Sequence, residues 1–163
     1  MADGLAGALS LRPLREDDLP TMFEIQLDAE AQRLAAFVSS AARDREAYLA
    51  KWRKILLDPA ITTKVVELDD DVVGSVGIYP IDGDLELTYW IRKDRWGRGV
   101  ATAAVAVLLQ EISARPVHAR VVEDNVGSVR VLERNGFVRV GSEEAFAEAR
   151  QATVTELSYR LSE

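Results

Sequence analysis

The middle of the chain changes from a strand pattern to a helix pattern across one short basic loop, which restricts the folds open to it. Residues 61–68, 72–79 and 85–91 are rich in β-branched and aromatic residues. The solvated turn Asp69-Asp70-Asp71 and the turn Ile81-Asp82-Gly83-Asp84 separate them, so they predict three hairpin-linked antiparallel strands. Residues 99–113 follow as a run that is apolar on nearly every side and predicts a well-covered helix. The fold must therefore join a hairpin-linked sheet to a helix packed on it.

The part of the chain before these strands is predicted to be mostly helical. Residues 8–13 have the pattern of a short strand, after which Asp17 and Asp18 are candidate N-caps for a first helix. Helical patterns continue until Asp58-Pro59, where proline stops the last of them. The region of about 17–57 is therefore predicted to contain three helices.

The part after the apolar helix supplies more strands. Residues 117–122 predict a strand parallel to the one at 85–91, because a helical crossover joins the two. A short helix capped by Asn125 follows, and then two strands near 137–141 and 152–161. The acidic segment between these strands is expected to be a surface loop. The predicted fold class is α+β (mixed α/β), with a central mixed, mostly antiparallel sheet of about seven strands and helices on both faces.

Composition limits the kinds of protein that this chain can be. Its 163 residues suit a single domain spanning 1–163, and a net charge of −7 argues against nucleic-acid binding. No apolar run reaches the roughly 20 residues that span a membrane, and the start of the chain has no signal-peptide pattern, so we expect a cytoplasmic protein. With no cysteine and a single histidine, His118, no metal site is predicted.

The basic loop before the apolar helix contains Gly97 and Gly99 and could hold an anion. The first N–H groups of a helix have no intrahelical partner and carry partial positive charge, and glycine lets an anion approach the backbone. The same glycines also suit a tight strand-to-helix turn that needs positive φ and binds nothing. From the residues alone, both interpretations stay open.

Three phosphate sites compete for this loop. A P-loop ends in Gly-Lys-Ser/Thr, which Gly99-Val100-Ala101 does not match. A dinucleotide site needs a third glycine, where this chain has Thr102, although Glu123 or Asp124 stands near its acidic position. That site also follows a βαβ unit, whereas hairpins and a basic segment precede the glycines here. The third candidate is the pyrophosphate of coenzyme A.

Three segments resemble a known family in the order expected for it. Residues 96–101 match the Gly and Ala positions of the signature Gln/Arg-x-x-Gly-x-Gly/Ala, with Trp96 in its first place. Residues 125–137 resemble N-x-x-S-x-x-x-L-E-K-x-G-F, and residues 11–19 (LRPLREDDL) resemble the usual opening. On these segments the chain resembles the GNAT superfamily of N-acetyltransferases, in the branch of ribosomal-protein-alanine acetyltransferase-like enzymes. The resemblance spans nearly the whole chain.

The resemblance implies the GNAT fold, in which the strand before the glycine loop splays from its neighbour and pairs with the pantetheine arm. It implies acetyl-CoA as cosubstrate, without a metal, bound by a part of about 85–137, with acceptor-side helices at about 17–57. The matched cofactor-binding positions are Trp90, Ile91, Arg92, Lys93, Trp96, Gly97, Arg98, Gly99, Val100, Ala101, Thr102 and Asn125.

The implied reaction is direct attack of a primary amine on the acetyl thioester in a ternary complex. Glu86 is the candidate base, directly or through water, and its alternative role is that of a solvent-facing strand residue. Many relatives use a tyrosine to protonate the thiolate, but Leu132 stands at that position, so Ser128 is the candidate donor. Ser128 could instead serve only in the first turn of its helix. Tyr89 is an aromatic strand residue that either shapes the pocket or belongs to the core.

The resemblance leaves the acceptor undefined, as a small-molecule amine or a protein N-terminus, and a homodimer is possible. No nucleic-acid or membrane partner is predicted. An alternative is a non-catalytic domain that binds acetyl-CoA as a sensor or structural ligand, because the usual tyrosine is absent at Leu132. A dinucleotide-binding domain is a further, weaker alternative.

Overall fold

The computed structural model describes residues 5–163. Residues 1–4, which begin both the predicted domain and the N-terminal segment that has no signal-peptide pattern, lie outside the described residues. The helices are α1 (Leu19–Gln26), α2 (Ala29–Ala35), α3 (Arg45–Leu57), α4 (Val100–Glu111) and α5 (Val126–Arg134). The strands are β1 (Leu9–Pro13), β2 (Thr62–Leu68), β3 (Asp71–Ile81), β4 (Asp84–Ile91), β5 (Val117–Val122), β6 (Val138–Ala147) and β7 (Ala152–Leu161). They form one seven-stranded sheet in the order β1-β2-β3-β4-β5-β7-β6.

Both predicted hairpins in the middle of the chain are confirmed. Strands β2, β3 and β4 pair antiparallel, and the turns between them are short. Asp69 and Asp70 have φ of 52° and 67°, and Asp82 and Gly83 have φ of 50° and 87°. Positive φ at both central residues matches the right-handed twist of paired strands, so these acidic turns suit tight hairpins. Asp71 is the first residue of β3 and not part of the turn.

The predicted parallel pair is also confirmed, and it is short. Strands β4 and β5 pair only at Leu85 with Val117 and at Glu86 with His118. Beyond Glu86 the two strands separate, so the sheet is splayed as the resemblance implies. The separation leaves one edge of β4 without a neighbouring strand up to Ile91.

Helices cover both faces of the sheet, as predicted. Val65 and Val66 are adjacent in β2 and fully buried, and each packs into a different hydrophobic cluster. The cluster around Val66 includes residues of α4 and α5, whereas that around Val65 includes residues of α1 and α3. Because successive side chains of a strand point to opposite faces, the helices lie on opposite sides. None of the helices described in residues 5–163 is both long and apolar enough to cross a membrane.

The prediction of a surface loop between the last two strands is wrong for residues 142–147, which belong to β6, whereas 148–151 form the turn. Residues 138–147 form one continuous strand, β6, which pairs with β7 along its length and includes the acidic pair Glu143 and Glu144. This strand lies at the edge of the sheet, and most of its side chains are exposed. Because most of its side chains face solvent, β6 has the polar composition of a loop, although its backbone hydrogen bonds hold it in the sheet.

The predicted capping role of Asp18 is replaced by an ion pair. Both carboxylate oxygens accept hydrogen bonds from Arg12 at 2.8 Å, and the Arg15 N–H donates to one of them at 2.8 Å. Asp18 is 9% exposed and makes no side-chain cap to α1. The Arg12 guanidinium beside it lowers the pKa of Asp18 below its ordinary value of 3.8.

We expect Asp18→Asn to lower the free energy of unfolding by about 2 kcal/mol at pH 7, because charge-assisted hydrogen bonds are lost. A lowered folded-state pKa stabilises the fold above the ordinary pKa, and this contribution is lost as the pH falls through the lowered value. Urea unfolding should therefore give a difference that shrinks below pH 3.8. Glu16→Gln, which breaks the exposed 2.9 Å pair with Arg53, is the control and should cost less than about 0.5 kcal/mol. Equal losses would contradict this account.

Candidate functional site

A groove of about 670 Å³ opens where β4 and β5 separate. Helix α2 forms one wall, and the first turn of α4 and most of α5 form another. The predicted site residues that line it are Trp90, Ile91, Trp96, Gly97, Gly99, Val100, Ala101, Thr102, Asn125 and Ser128. Those that are not among its lining residues are Glu86, Arg92, Lys93 and Arg98.

The glycine loop leaves its backbone open to the groove. Gly97 and Gly99 have φ of 72° and 81°, and Gly99 is the N-cap of α4. A Cβ built on either glycine meets no atom within 4 Å, so neither is required by close packing of the protein itself. The first N–H groups of α4 follow directly, which suits an anion at this end of the groove. In the same wall, Arg95 has a buried Nε without a hydrogen-bond partner among the described residues.

The basic residues before the glycines are largely neutralised by carboxylates. Arg92 donates to Asp94 at 2.7 Å and to Asp71 at 3.0 Å, and Lys93 lies 2.8 Å from Glu30. Arg92 lowers the pKa of Asp71, which the sequence placed in a solvated turn. These cations therefore tie the loop to the β2–β3 hairpin and to α2, and the charge left for an anion is smaller than their number indicates.

The backbone of β4 alternates between its two edges. The Arg92 N–H donates to the Val73 carbonyl at 2.7 Å, so by the alternation of an antiparallel pair the Trp90 N–H also points toward β3. The backbone groups of Tyr89 and Ile91 consequently face the open edge. The Ile91 carbonyl accepts a 2.7 Å hydrogen bond from the Trp96 indole, which fixes the loop over the end of the strand. The Tyr89 and Ile91 N–H groups are thus directed toward the groove.

The first turn of α5 brings Ser128 into the groove. Asn125 Oδ1 accepts a hydrogen bond from the Ser128 N–H at 3.3 Å, and Asn125 Nδ2 donates to the Leu34 carbonyl at 3.4 Å. Asn125 is therefore the predicted helix cap and also connects α5 to α2. The Tyr89 hydroxyl lies 2.9 Å from Ser128 Oγ. Burial raises the pKa of Tyr89 to about 12, so its hydroxyl stays protonated.

Glu86 is buried and not solvent-facing. It is 8% exposed, and Oε1 accepts a 2.7 Å hydrogen bond from Arg120 Nε. Arg120 itself lines the groove, so Glu86 lies directly behind a groove residue. Glu156 lies 3.9 Å from the same guanidinium, and burial raises its pKa above the ordinary value. The sequence did not identify Arg120 or Glu156, because their meeting depends on pairing between distant strands.

The residues that the sequence missed in the groove wall come mostly from outside the glycine motif. The sequence alone does not decide whether Tyr89 belongs to the core or the pocket, and it shows Arg95 only as part of the basic segment before the glycines. The sequence placed α2 in an acceptor-side region without singling out Glu30 or Leu34, which line the wall. No local pattern in α2 marks these positions, because they become groove residues only through the packing of α2 beside β5.

Comparison with known proteins identifies the class to which this fold and groove belong. The family model described as "Acetyltransferase (GNAT) domain" matches residues 8–138, which is most of the chain. The chain belongs to this family of acetyltransferase domains.

Individual relatives and solved structures also match the chain, at modest sequence identity. The "Probable N-acetyltransferase YjcK" of Bacillus subtilis (strain 168) is 33% identical over 45% of this chain and 45% of its own length, so less than half of that relative is matched. The "Putative ribosomal N-acetyltransferase YdaF" of the same organism is 27% identical over 82% of this chain and 79% of its own. The solved structure "Mycobacterium smegmatis RimJ in complex with CoA-disulfide" has a TM-score of 0.77 and 25% identity, and the alignment covers 96% of this chain and 82% of that one.

Proposed function

We propose that this chain is an acetyl-CoA-dependent N-acetyltransferase that moves an acetyl group to a primary amine by direct attack in a ternary complex. The observation that carries the proposal is the groove between β4 and β5, which ends at the open glycine turn of α4. Its volume of about 670 Å³ is enough for a small-molecule thioester, and the glycine turn suits a pyrophosphate. The names of the relatives support the reaction class.

The described residues fit such a cosubstrate in a definite orientation. The N–H groups from Gly97 to Thr102 bind the pyrophosphate. Arg95, whose guanidinium also lies 3.5 Å from Asp71, adds the part of its positive charge that this carboxylate leaves uncompensated. The open edge of β4 pairs with the pantetheine arm, which replaces the missing part of β5. The thioester then lies near Ser128, and an N–H of Tyr89 or Ile91 stabilises the oxyanion that forms during attack.

The amine must lose a proton to attack, and Glu86 takes it through water beside Arg120. Glu86 is not among the described residues that line the groove, so a water molecule carries the proton from the amine to it. Holding amine and thioester together supplies much of the rate by orientation. As the carbon–sulfur bond breaks, the electron pair goes to sulfur, where Ser128 donates a hydrogen bond.

The acceptor is proposed only as a primary amine, either on a small molecule or at a protein N-terminus. Names of similar structures include a "Ribosomal-protein-S5-alanine Acetyltransferase from Vibrio fischeri" and a "spermidine N-acetyltransferase from Vibrio cholerae". Their identities of 18% and 21% relate their folds to this chain and leave the acceptor open. A homodimer and a cytoplasmic location stay predictions.

The test is acetyl-CoA with a panel of amines, followed by thiol release and product mass. The chain has no cysteine, so the released CoA is the thiol that is detected. The panel contains a peptide with a free N-terminal alanine, a lysine-containing peptide with a blocked N-terminus, and spermidine. We expect turnover with at least one of them at pH 7.5, and faster turnover for an α-amine because its pKa near ~8 leaves a larger neutral fraction than ~10.4 does.

Two results would redirect the proposal. Acetyl-CoA that raises the melting temperature without turnover of any amine would favour the non-catalytic binding domain. A melting temperature that is raised by NAD and not by CoA would favour dinucleotide binding, although the hairpins before the glycine loop do not match that fold.

A further inference from the structure

The hydroxyl groups of Tyr89 and Ser128 meet inside the groove, although the residues are 39 positions apart in the chain. Tyr89 reaches the first turn of α5 from β4, and the two oxygens are 2.9 Å apart. One turn further along α5, Leu132 is 1% exposed and presents no polar group. Ser128 therefore supplies a hydroxyl at this part of α5, and Tyr89, which also lines the groove, contacts it.

The direction of this hydrogen bond follows from acidity. A phenol is a stronger acid than an aliphatic alcohol, so the phenol donates when the two share one hydrogen bond. Ser128 Oγ is the side-chain partner of the Tyr89 hydroxyl in the part of the chain that the structure describes. When Tyr89 donates to Ser128 Oγ, the proton of Ser128 points away from Tyr89. It is then available to a third atom in the groove.

We propose that Tyr89 is a positioning residue that directs the Ser128 hydroxyl toward the sulfur of the departing thiolate. This inference rests on the proposed acetyl transfer. In that reaction the carbon–nitrogen bond forms, the carbon–sulfur bond breaks, and the electron pair of the broken bond goes to sulfur. Ser128 donates a hydrogen bond to this sulfur, and water supplies the proton that makes the free thiol. Tyr89 and Ser128 therefore end the reaction in the protonation states in which they began.

The acidities of the groups favour hydrogen bonding over proton transfer. A thiol has an ordinary pKa near ~8.5. The buried Tyr89 hydroxyl has a pKa of about 12, so it does not give up its proton to a thiolate. A neutral donor that stays in place still lowers the energy of the transition state, because the charge on sulfur develops in front of it.

The test is a double-mutant cycle of Tyr89→Phe and Ser128→Ala, with the acceptor found in the amine panel. We expect Tyr89→Phe to lower kcat about tenfold while the KM for acetyl-CoA changes less than about twofold, since the ground state keeps its contacts. Ser128→Ala should lower kcat at least as much. The double variant should equal Ser128→Ala, because Tyr89 acts through Ser128. Independent, multiplying losses or an unchanged kcat in Tyr89→Phe would overturn the inference.

The matched control is Tyr159→Phe. Tyr159 is buried on β7, and its hydroxyl donates to Glu133 at 3.2 Å, so the same atom and one hydrogen bond are removed outside the groove lining. Its kcat should stay within about twofold of the parent. Melting temperature and acetyl-CoA affinity, measured for each variant, separate a folding defect from a catalytic one.

A second variant keeps a phenol at position 89. Fluorotyrosine incorporated there is a somewhat stronger hydrogen-bond donor than tyrosine, so it should still direct the Ser128 hydroxyl, and kcat should stay within about threefold of the parent. A loss as large as that of Tyr89→Phe would overturn the positioning role. If the parent chain transfers acetyl to no amine, the proposed function fails, and with it the departing thiolate that this role requires. If the parent is active and the variants match it, only the Tyr89 inference fails.

Discussion

Glu86→Gln is expected to lower kcat about 10²-fold or more while acetyl-CoA affinity stays nearly unchanged. The carboxylate is behind the groove wall and not among its lining residues, so the bound thioester loses no contact. Glutamine keeps an oxygen that can accept the hydrogen bond from Arg120, but it cannot take a proton from the amine. The measurement is kcat with the true acceptor, together with the acetyl-CoA affinity of the same variant from titration calorimetry.

Glu156→Gln is the matched control for this prediction. Glu156 faces the same guanidinium at 3.9 Å, so the variant also removes one negative charge from Arg120. We expect it to keep kcat within about threefold of the parent, because Glu86 still holds Arg120 at 2.7 Å. A large loss in Glu156→Gln together with full activity in Glu86→Gln would assign the base to Glu156. Full activity in both variants would show that neither carboxylate is the base.

Gly99→Ala is expected to raise the dissociation constant of acetyl-CoA at least about tenfold, equivalent to about 1.4 kcal/mol. The added Cβ enters open space at the N-cap of α4, where the pyrophosphate is proposed to bind. Positive φ at this residue also costs about 1 kcal/mol for alanine, which lowers the free energy of unfolding. Titration calorimetry measures the first effect, and urea unfolding measures the second.

Gly83→Ala separates these two effects. Gly83 has φ of 87° in the β3–β4 turn, and a Cβ built on it also meets no atom within 4 Å. It is not among the described residues that line the groove, so the variant should lose similar stability and bind acetyl-CoA as the parent does. Equal losses of affinity in both variants would mean that weakened folding, and not contact with the ligand, explains the effect of Gly99→Ala.

The sequence alone predicts the elements that depend on local chemistry. The paired acidic turns, the strand at β4, the apolar helix α4 and the Asn125 cap of α5 were all recognised from neighbouring residues. Periodicity and turn chemistry act over a few residues, so a single sequence contains enough information to locate them. The surface loop predicted within β6 failed because pairing with β7 holds an edge strand whose exposed side chains carry no strand pattern.

The tertiary structure decided which side chains meet in the groove. Tyr89 reaches Ser128 because β4 and α5 pack together, and Glu86 reaches Arg120 because β4 and β5 pair at their first residues. The side chains of Arg92 and Lys93 are paired with carboxylates of β3, α2 and their own loop, contacts that the sequence did not indicate, and their role toward the ligand stays a prediction. The sequence by itself thus determined the glycine turn and its helix, since φ and capping are local. The partners of each charged or hydroxyl group were decided only by the fold, because they come from segments far apart in the chain.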